Sequence, residues 1–157
     1  MIVVLDNIRS MHNVGSIFRT ADAAGIEKIY LCGITPSPLN EFKKPRQQIT
    51  KVSLGAENSV KWEKYPASFK VLDILKKRGY KIFAVEQHKN SIPYYKVKLA
   101  RKQKDKTVLI LGHEIKGLSP AVLKRADKVL EIPMAGQKES LNVSVAFGIV
   151  VYGLIYN

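Results

Sequence analysis

Residues 132–144 read Ile132-Pro133-Met134-Ala135-Gly136-Gln137-Lys138-Glu139-Ser140-Leu141-Asn142-Val143-Ser144. Two unlike patterns meet in this stretch. Lys128 to Ile132 is a short strand. From about Leu141 an apolar helix runs towards the end of the chain. Pro133 and Gly136 stop the strand and turn the backbone between them. Ser140 or Asn142 can cap the helix that follows. Alternatively, their hydroxyl and amide face a pocket. Backbone near Ile132, Met134 and Leu141 would then cradle a flat base, as apolar walls with a few polar groups do in small-molecule sites.

The same alternation extends back to the start of the chain. Ile2–Leu5 reads as a buried strand. A helix capped by Asn13 runs to about Ala24 and is stopped by Gly25. Lys28–Cys32 is a second strand. Gly33–Arg46, with Pro36, Pro38 and Pro45, is loop. A short helix is expected over 53–59, a strand over 60–64 and a helix over 66–78 with Pro66 in its first turn. Strands follow at 80–85 and 107–111, separated by a polar loop over 86–105. A short helix is expected over 120–126. Apolar strands alternating with helices predict an α/β fold, a mostly parallel sheet with helices on both faces. Ligands of such sheets bind beyond the carboxyl ends of the strands. The candidate loops therefore follow Leu5, Cys32, Val85, Leu111 and Ile132.

Two of these loops carry further polar groups. Asp6 to Thr20 follows the first strand and opens a helix. Its start offers amides to an anion, and Arg19, on the face of Gly15, can grip phosphate. A tight contact at Gly15 and a solvated Arg19 is the plainer alternative. Leu111 to Pro120 sets Glu114 between Gly112 and Gly117. Gly112 permits close backbone approach, and Glu114 can bond a ligand or hold Arg19. His113 is either a general base or a solvated loop residue.

The 157-residue chain is one domain in size, with 46% apolar residues. Its 26 Lys and Arg against 13 acids give +13, which calls for an anionic partner, nucleic acid before membrane. The single Cys32 excludes an internal disulfide and suits an intracellular protein. No targeting segment is evident. Val143–Tyr156 would reach only about 20 Å as a helix, short of a bilayer core of roughly 30 Å, so no membrane partner is expected. Dinucleotide fingerprints, P-loops, zinc-ligand spacing and nucleophile elbows are absent. No metal is expected.

Three motifs in order, Asn13-x-Gly15-x-x-x-Arg19, Gly112-x-Glu114-x-x-Gly117-Leu118 and Ile132 to Ser144, resemble those of the SpoU/TrmH branch of the SPOUT RNA methyltransferases. The resemblance spans nearly the whole chain. It implies a C-terminal trefoil knot, S-adenosyl-L-methionine bound in it, a homodimer, and methylation of ribose 2′-oxygens in tRNA or rRNA in the cytoplasm. By position, Arg19 resembles the arginine that activates the hydroxyl and Asn13 the asparagine that supports it. Glu114, Ser140 and Asn142 resemble the other polar residues of the centre. Gly112, Ile132, Met134, Leu141 and Ser140 resemble cofactor-cradling positions, and Val85 and Glu86 a further cofactor edge.

Many relatives carry an added RNA-binding segment. Here residues 1–157 read as a single methyltransferase domain without one, so substrate recognition falls to the domain or to a partner. Candidate phosphate contacts are Arg9, Lys43, Lys44, Arg46, Lys51, Lys98, Arg101, Lys102, Lys104 and Lys106. Because a guanidinium holds its proton, a phosphate-clamped Arg19 that polarises the hydroxyl is physically easier than Arg19 as a literal general base, and both roles stay open. Two other functions compete: methylation of a base nitrogen on the same fold, and a non-catalytic basic RNA-binding assembly factor.

Overall fold

The computed structural model describes residues 1–156. Residue 157, to which the final helix and the single domain were expected to extend, lies outside the described residues. The strands are β1 (Ile2–Asp6), β2 (Lys28–Cys32), β3 (Lys61–Tyr65), β4 (Lys81–Val85), β5 (Ile92–Pro93), β6 (Thr107–Leu111) and β7 (Lys128–Glu131). They form one sheet in the order β3-β2-β1-β6-β4-β7-β5. Every neighbouring pair is parallel. The two antiparallel contacts among the described residues are isolated bridges, Leu39 with Pro45 and His113 with Gly117.

The helices are α1 (Met11–Ala23), α2 (Gln47–Ser53), α3 (Ala56–Ser59), α4 (Ser68–Lys77), α5 (Arg101–Asp105), α6 (Pro120–Leu123) and α7 (Val143–Tyr156). Alternate strand residues point to opposite faces, and each face has its own core. On one, Val3, Leu5, Ile29, Leu31, Leu109 and Leu111 pack with Phe18 of α1, Ile49 of α2 and Phe147 and Val151 of α7. On the other, Ile2, Val4, Tyr30, Ile82, Val108 and Ile110 pack with Leu72 and Leu75 of α4 and Val122 of α6. No helix of the described residues is long and apolar enough to cross a membrane.

Several local expectations change. The cap of α1 is Ser10, whose hydroxyl accepts the Asn13 N–H, so Asn13 sits one turn inside the helix with its amide turned to other use. The stretch expected as one short helix over 53–59 is two, α2 and α3, because Leu54 and Gly55 take left-handed backbone between them. Helix α4 begins at Ser68, so Pro66 lies before it. The polar loop over 86–105 contains β5, a 3-10 turn (Tyr94–Lys96) and α5. Helix α7 begins at Val143 rather than Leu141.

The register aligns the strand ends. Asp6 pairs with Cys32, Leu5 with Leu111, and Val85 with both Leu111 and Leu130. The chain builds outward from β1 in one direction through β2 and β3, then resumes on β1's other side, so the order reverses between β1 and β6. All the candidate loops therefore leave one edge of the sheet.

Candidate functional site

A cavity of about 310 Å³ opens beyond the carboxyl ends of β4, β6 and β7. It lies beside the β1–β6 reversal rather than on it. Its walls come from three segments: Val85–Gln87, Leu111–Gly117 and Leu130–Ala146. Val85, Glu86, Gly112, Ile132, Met134, Ser140 and Leu141, the residues expected to hold a cofactor, all line it. The loops after Leu5 and Cys32 do not. A shallow groove formed by Arg9, Ser10, Asn13, His113, Glu114 and Ile115 adjoins it and occupies the β1–β6 reversal itself.

Glu114 joins the first two motifs. Its carboxylate accepts the backbone N–H of Arg9 at 3.2 Å and of Ser10 at 3.1 Å, and the Asn13 amide at 3.3 Å. Desolvation pushes this carboxyl up. Hydrogen bonds from its own backbone, from Ser10, Arg9 and the Asn13 side chain outweigh that and hold it below the usual carboxylate range. The negative charge also suits the start of α1, where the helix dipole is positive. The expected anion site at that helix start is thus already taken up by Glu114.

The third motif joins through Asn13, whose side-chain oxygen accepts the Asn142 amide at 3.1 Å. Asn142 Oδ1 in turn accepts the Ser144 N–H at 2.8 Å and its hydroxyl at 2.7 Å, capping α7. The capping reading of Asn142 therefore holds, while its amide turns to Asn13 rather than to the cavity, whose walls do not include Asn142. Ser140 lines the cavity.

The Gly112–Gly117 turn is rigid. His113 Nδ1 accepts the Ile115 N–H at 3.0 Å, and Gly117 N–H donates to the His113 carbonyl at 2.8 Å. Through these two bonds His113 braces the loop. Glu86 clamps the far end, accepting the Leu118 N–H at 2.9 Å. A Cβ at Gly112 would meet the Gly117 carbonyl carbon at 2.7 Å, and one at Gly117 (φ +64) the Glu86 carboxylate. Gly112 is bare because its own loop folds onto it. At Gly15 the close neighbour is likewise internal: a Cβ there would meet the Ile49 carbonyl of α2 at 2.7 Å.

Arg19 stands apart. It is exposed on α1 and lines neither cavity nor groove. Asn13, Glu114 and Asn142 come together; Arg19 does not join them within this chain.

The cavity's charge opposes that of the chain. Of the 13 acids, Glu86, Glu114, Glu131 and Glu139 line it, and no Lys or Arg does, although the chain has 26. Such a pocket favours a cation or a neutral ligand over a polyphosphate. Sequence reading passed over Gln87, Glu131, Glu139 and Ser144. Gln87 Nε2 donates to the Ile132 carbonyl at 2.8 Å, tying two walls together, and its place after the β4 strand end was the available signal.

Comparison with known proteins is consistent across sequence and structure. The SpoU rRNA Methylase family model matches residues 1–152. The tRNA (guanosine(18)-2′-O)-methyltransferase of Aquifex aeolicus is 36% identical over 97% of this chain and 67% of its own length. A putative TrmH family tRNA/rRNA methyltransferase of Staphylococcus haemolyticus is 31% identical over 96% of the chain, which spans 56% of that protein. The SpoU methyltransferase AviRb of Streptomyces viridochromogenes, solved with AdoMet, superposes with a TM-score of 0.82 at 26% identity, covering 98% of this chain and 58% of that one.

Proposed function

This chain belongs to the SpoU rRNA Methylase family, and from that premise we propose that it transfers a methyl group from S-adenosyl-L-methionine to a ribose 2′-hydroxyl of tRNA or rRNA. The observation that carries the reading is the acidic cavity in a basic protein, walled by the second and third motifs and tied to the first through Glu114 and Asn13. A sulfonium cofactor suits four carboxylates and apolar Leu111, Leu130, Ile132 and Met134. The basic remainder of the surface suits RNA. A cytoplasmic location is part of the same proposal.

The cofactor supplies an already activated methyl group. The protein's task is alignment of the acceptor oxygen, and assistance to the departing proton. Backbone around Ile132, Met134 and Leu141, with Ser140 and Gly112, forms the cradle; Val85 and Glu86 close the opposite side. Asn13, Glu114 and Asn142 hold the second and third walls in register through α1. The groove beside Glu114 then receives the ribose. Arg19 polarises the hydroxyl or clamps its phosphate, with proton loss late in the step.

The position of Arg19 leads to a further part of the proposal. Helix α7 exposes Val145, Tyr152 and Tyr156 along one side, and the last two rings stack at 5.5 Å. An apolar stripe of this kind suits a homodimer. Helix α1 packs against α7, and Arg19, exposed on α1, would serve the cavity of the second copy. The C-terminal trefoil knot is also part of the proposal. It is supported by the way residues 130–146 close a cavity with the turns after β4 and β6.

The deciding experiment incubates the protein with methyl-labelled cofactor and unmodified tRNA and rRNA, digests the RNA to nucleosides and weighs them. Label on ribose supports the reading; label on a base nitrogen replaces it with base methylation. Absence of cofactor binding by calorimetry replaces it with a non-catalytic RNA-binding module.

A further inference from the structure

The segment after β2 is a built finger. Leu39 bridges Pro45, and Arg46 N–H donates to the Pro38 carbonyl at 2.7 Å. Asn40 closes the tip: its side-chain oxygen accepts the N–H groups of Phe42 and Lys44, each at 2.9 Å. Its own N–H donates to the Lys44 carbonyl at 2.9 Å. Lys43 completes the turn in left-handed backbone. The root is as firmly held. Fully buried Thr35 accepts the Ile8 N–H at 3.0 Å and donates to the Leu5 carbonyl at 3.1 Å. Lys64 Nζ donates to the carbonyls of Gly33 and Thr35.

At the tip of this finger Phe42 is 72% exposed. The surroundings are mostly cationic: exposed Lys43 and Lys44 follow the ring in sequence, Arg46 lies at the root and Lys51 on α2, against the acid Glu41 just before it. An exposed ring interleaved with basic residues is how proteins hold unpaired nucleotides, the ring stacking on a base while cations take the phosphates. The finger leaves the same sheet edge as the cavity. Strand β2 is two strands from β6, roughly 10 Å at the usual strand spacing.

We propose that the 38–46 finger is an RNA-contacting element in which Phe42 stacks on an unpaired base near the nucleotide being modified. The inference rests on the RNA-methyltransferase reading above, and it adds the recognition feature: a single-stranded loop, bulge or end rather than continuous duplex. Charge complementarity favours RNA over a protein partner, since a +13 chain presents the ring among lysines.

The test compares the wild-type chain with Phe42→Ala and Phe42→Trp, using unmodified tRNA transcripts and matched single-stranded and duplex oligoribonucleotides. Phe42→Ala is expected to weaken single-strand binding and raise KM for RNA by about tenfold to a hundredfold, with kcat and cofactor affinity unchanged. Unchanged cofactor affinity also shows that the fold survives. Phe42→Trp is expected to retain binding, and its fluorescence to be quenched by single strands more than by duplex. Wild-type-like RNA affinity in Phe42→Ala, or equal loss for single strands and duplex, overturns the proposal. So does a fall in oligomeric mass with RNA affinity intact, which would assign the ring to a second copy. Failure of the wild type to bind any RNA overturns the substrate reading itself, and this inference with it.

Discussion

Asn142 donates its side-chain amide to the side-chain oxygen of Asn13, 3.1 Å away across 129 residues of sequence. Through this bond the loop that closes the cavity is registered on the helix that follows β1. Each amide has a second partner, Glu114 for Asn13 and Ser144 for Asn142, so the bond is one link of a chain. Replacing either asparagine by Ala is expected to cost about 1 kcal/mol, with a coupling of similar size between them. A double-mutant cycle in urea measures it; strictly additive losses would mean that the link carries no energy of its own.

Glu114→Gln keeps the shape but removes the charge facing the start of α1. The expected loss is about 0.5 kcal/mol, the modest value of an exposed charge at a helix end. The folded carboxyl lies below its ordinary value. Its contribution is therefore complete above the unfolded pKa and disappears as pH falls through the folded one. Acid titration of unfolding should show this component in the wild type and not in Glu114→Gln. Identical acid limbs would refute it.

Arg19→Ala is expected to lower methyl transfer by about 10²-fold or more while leaving cofactor affinity unchanged, because Arg19 lines no part of the cavity. Mixing Arg19→Ala with Asn142→Ala chains, once each is shown to be inactive alone, should restore part of the activity if the residue serves a second copy. No recovery, with mixed dimers confirmed by mass, would place Arg19 in service of its own cavity.

Gly112→Ala introduces a Cβ 2.7 Å from the Gly117 backbone, so the turn has to shift. The strain is expected to cost about 1–3 kcal/mol and to weaken cofactor binding by shifting the Gly112–Gly117 turn. Calorimetry on the variant decides, since undiminished affinity would show that the turn does not shape the cavity.

Cys32 is buried at the end of β2, paired with Asp6 of β1. Burial, then the nearby Asp6 carboxylate, push its thiol up to about 12, against the opposing pull of Lys64. Thiolate is the reactive form, so a thiol reagent at pH 8 should label the native protein very slowly and the denatured protein at once. Fast native labelling would contradict the buried, protonated thiol.

What sequence alone made legible followed from periodicity and punctuation. Apolar runs such as Val3-Val4-Leu5 and Val108–Leu111 fall within strands because both faces of a parallel sheet are covered. The seven cofactor positions line one cavity because each lies at a strand end or in the turn after it. Three things were hidden. The Asn13 cap failed because Ser10 also fits the rule, and only the tertiary partner Glu114 shows which residue is free to cap. The finger passed for plain loop because its order comes from Asn40 bonding its own neighbours. Gly112 suggested a ligand's approach, yet it makes room for the protein's own backbone, and at Gly15 the plainer reading of a tight internal contact holds. A bare glycine records that something comes close, and not what.

The cavity's last wall, from Glu139 to Ala146, follows every strand of the sheet. During synthesis, at about 5–20 residues per second, the ribosome would release β1 through β7 before this wall emerged. A nascent chain therefore matures without help from its small-molecule ligand. Ligand binding stabilises only states that can bind, so that help reaches finished molecules alone, and a transcript cut short before residue 139 would yield a product that surplus ligand cannot rescue.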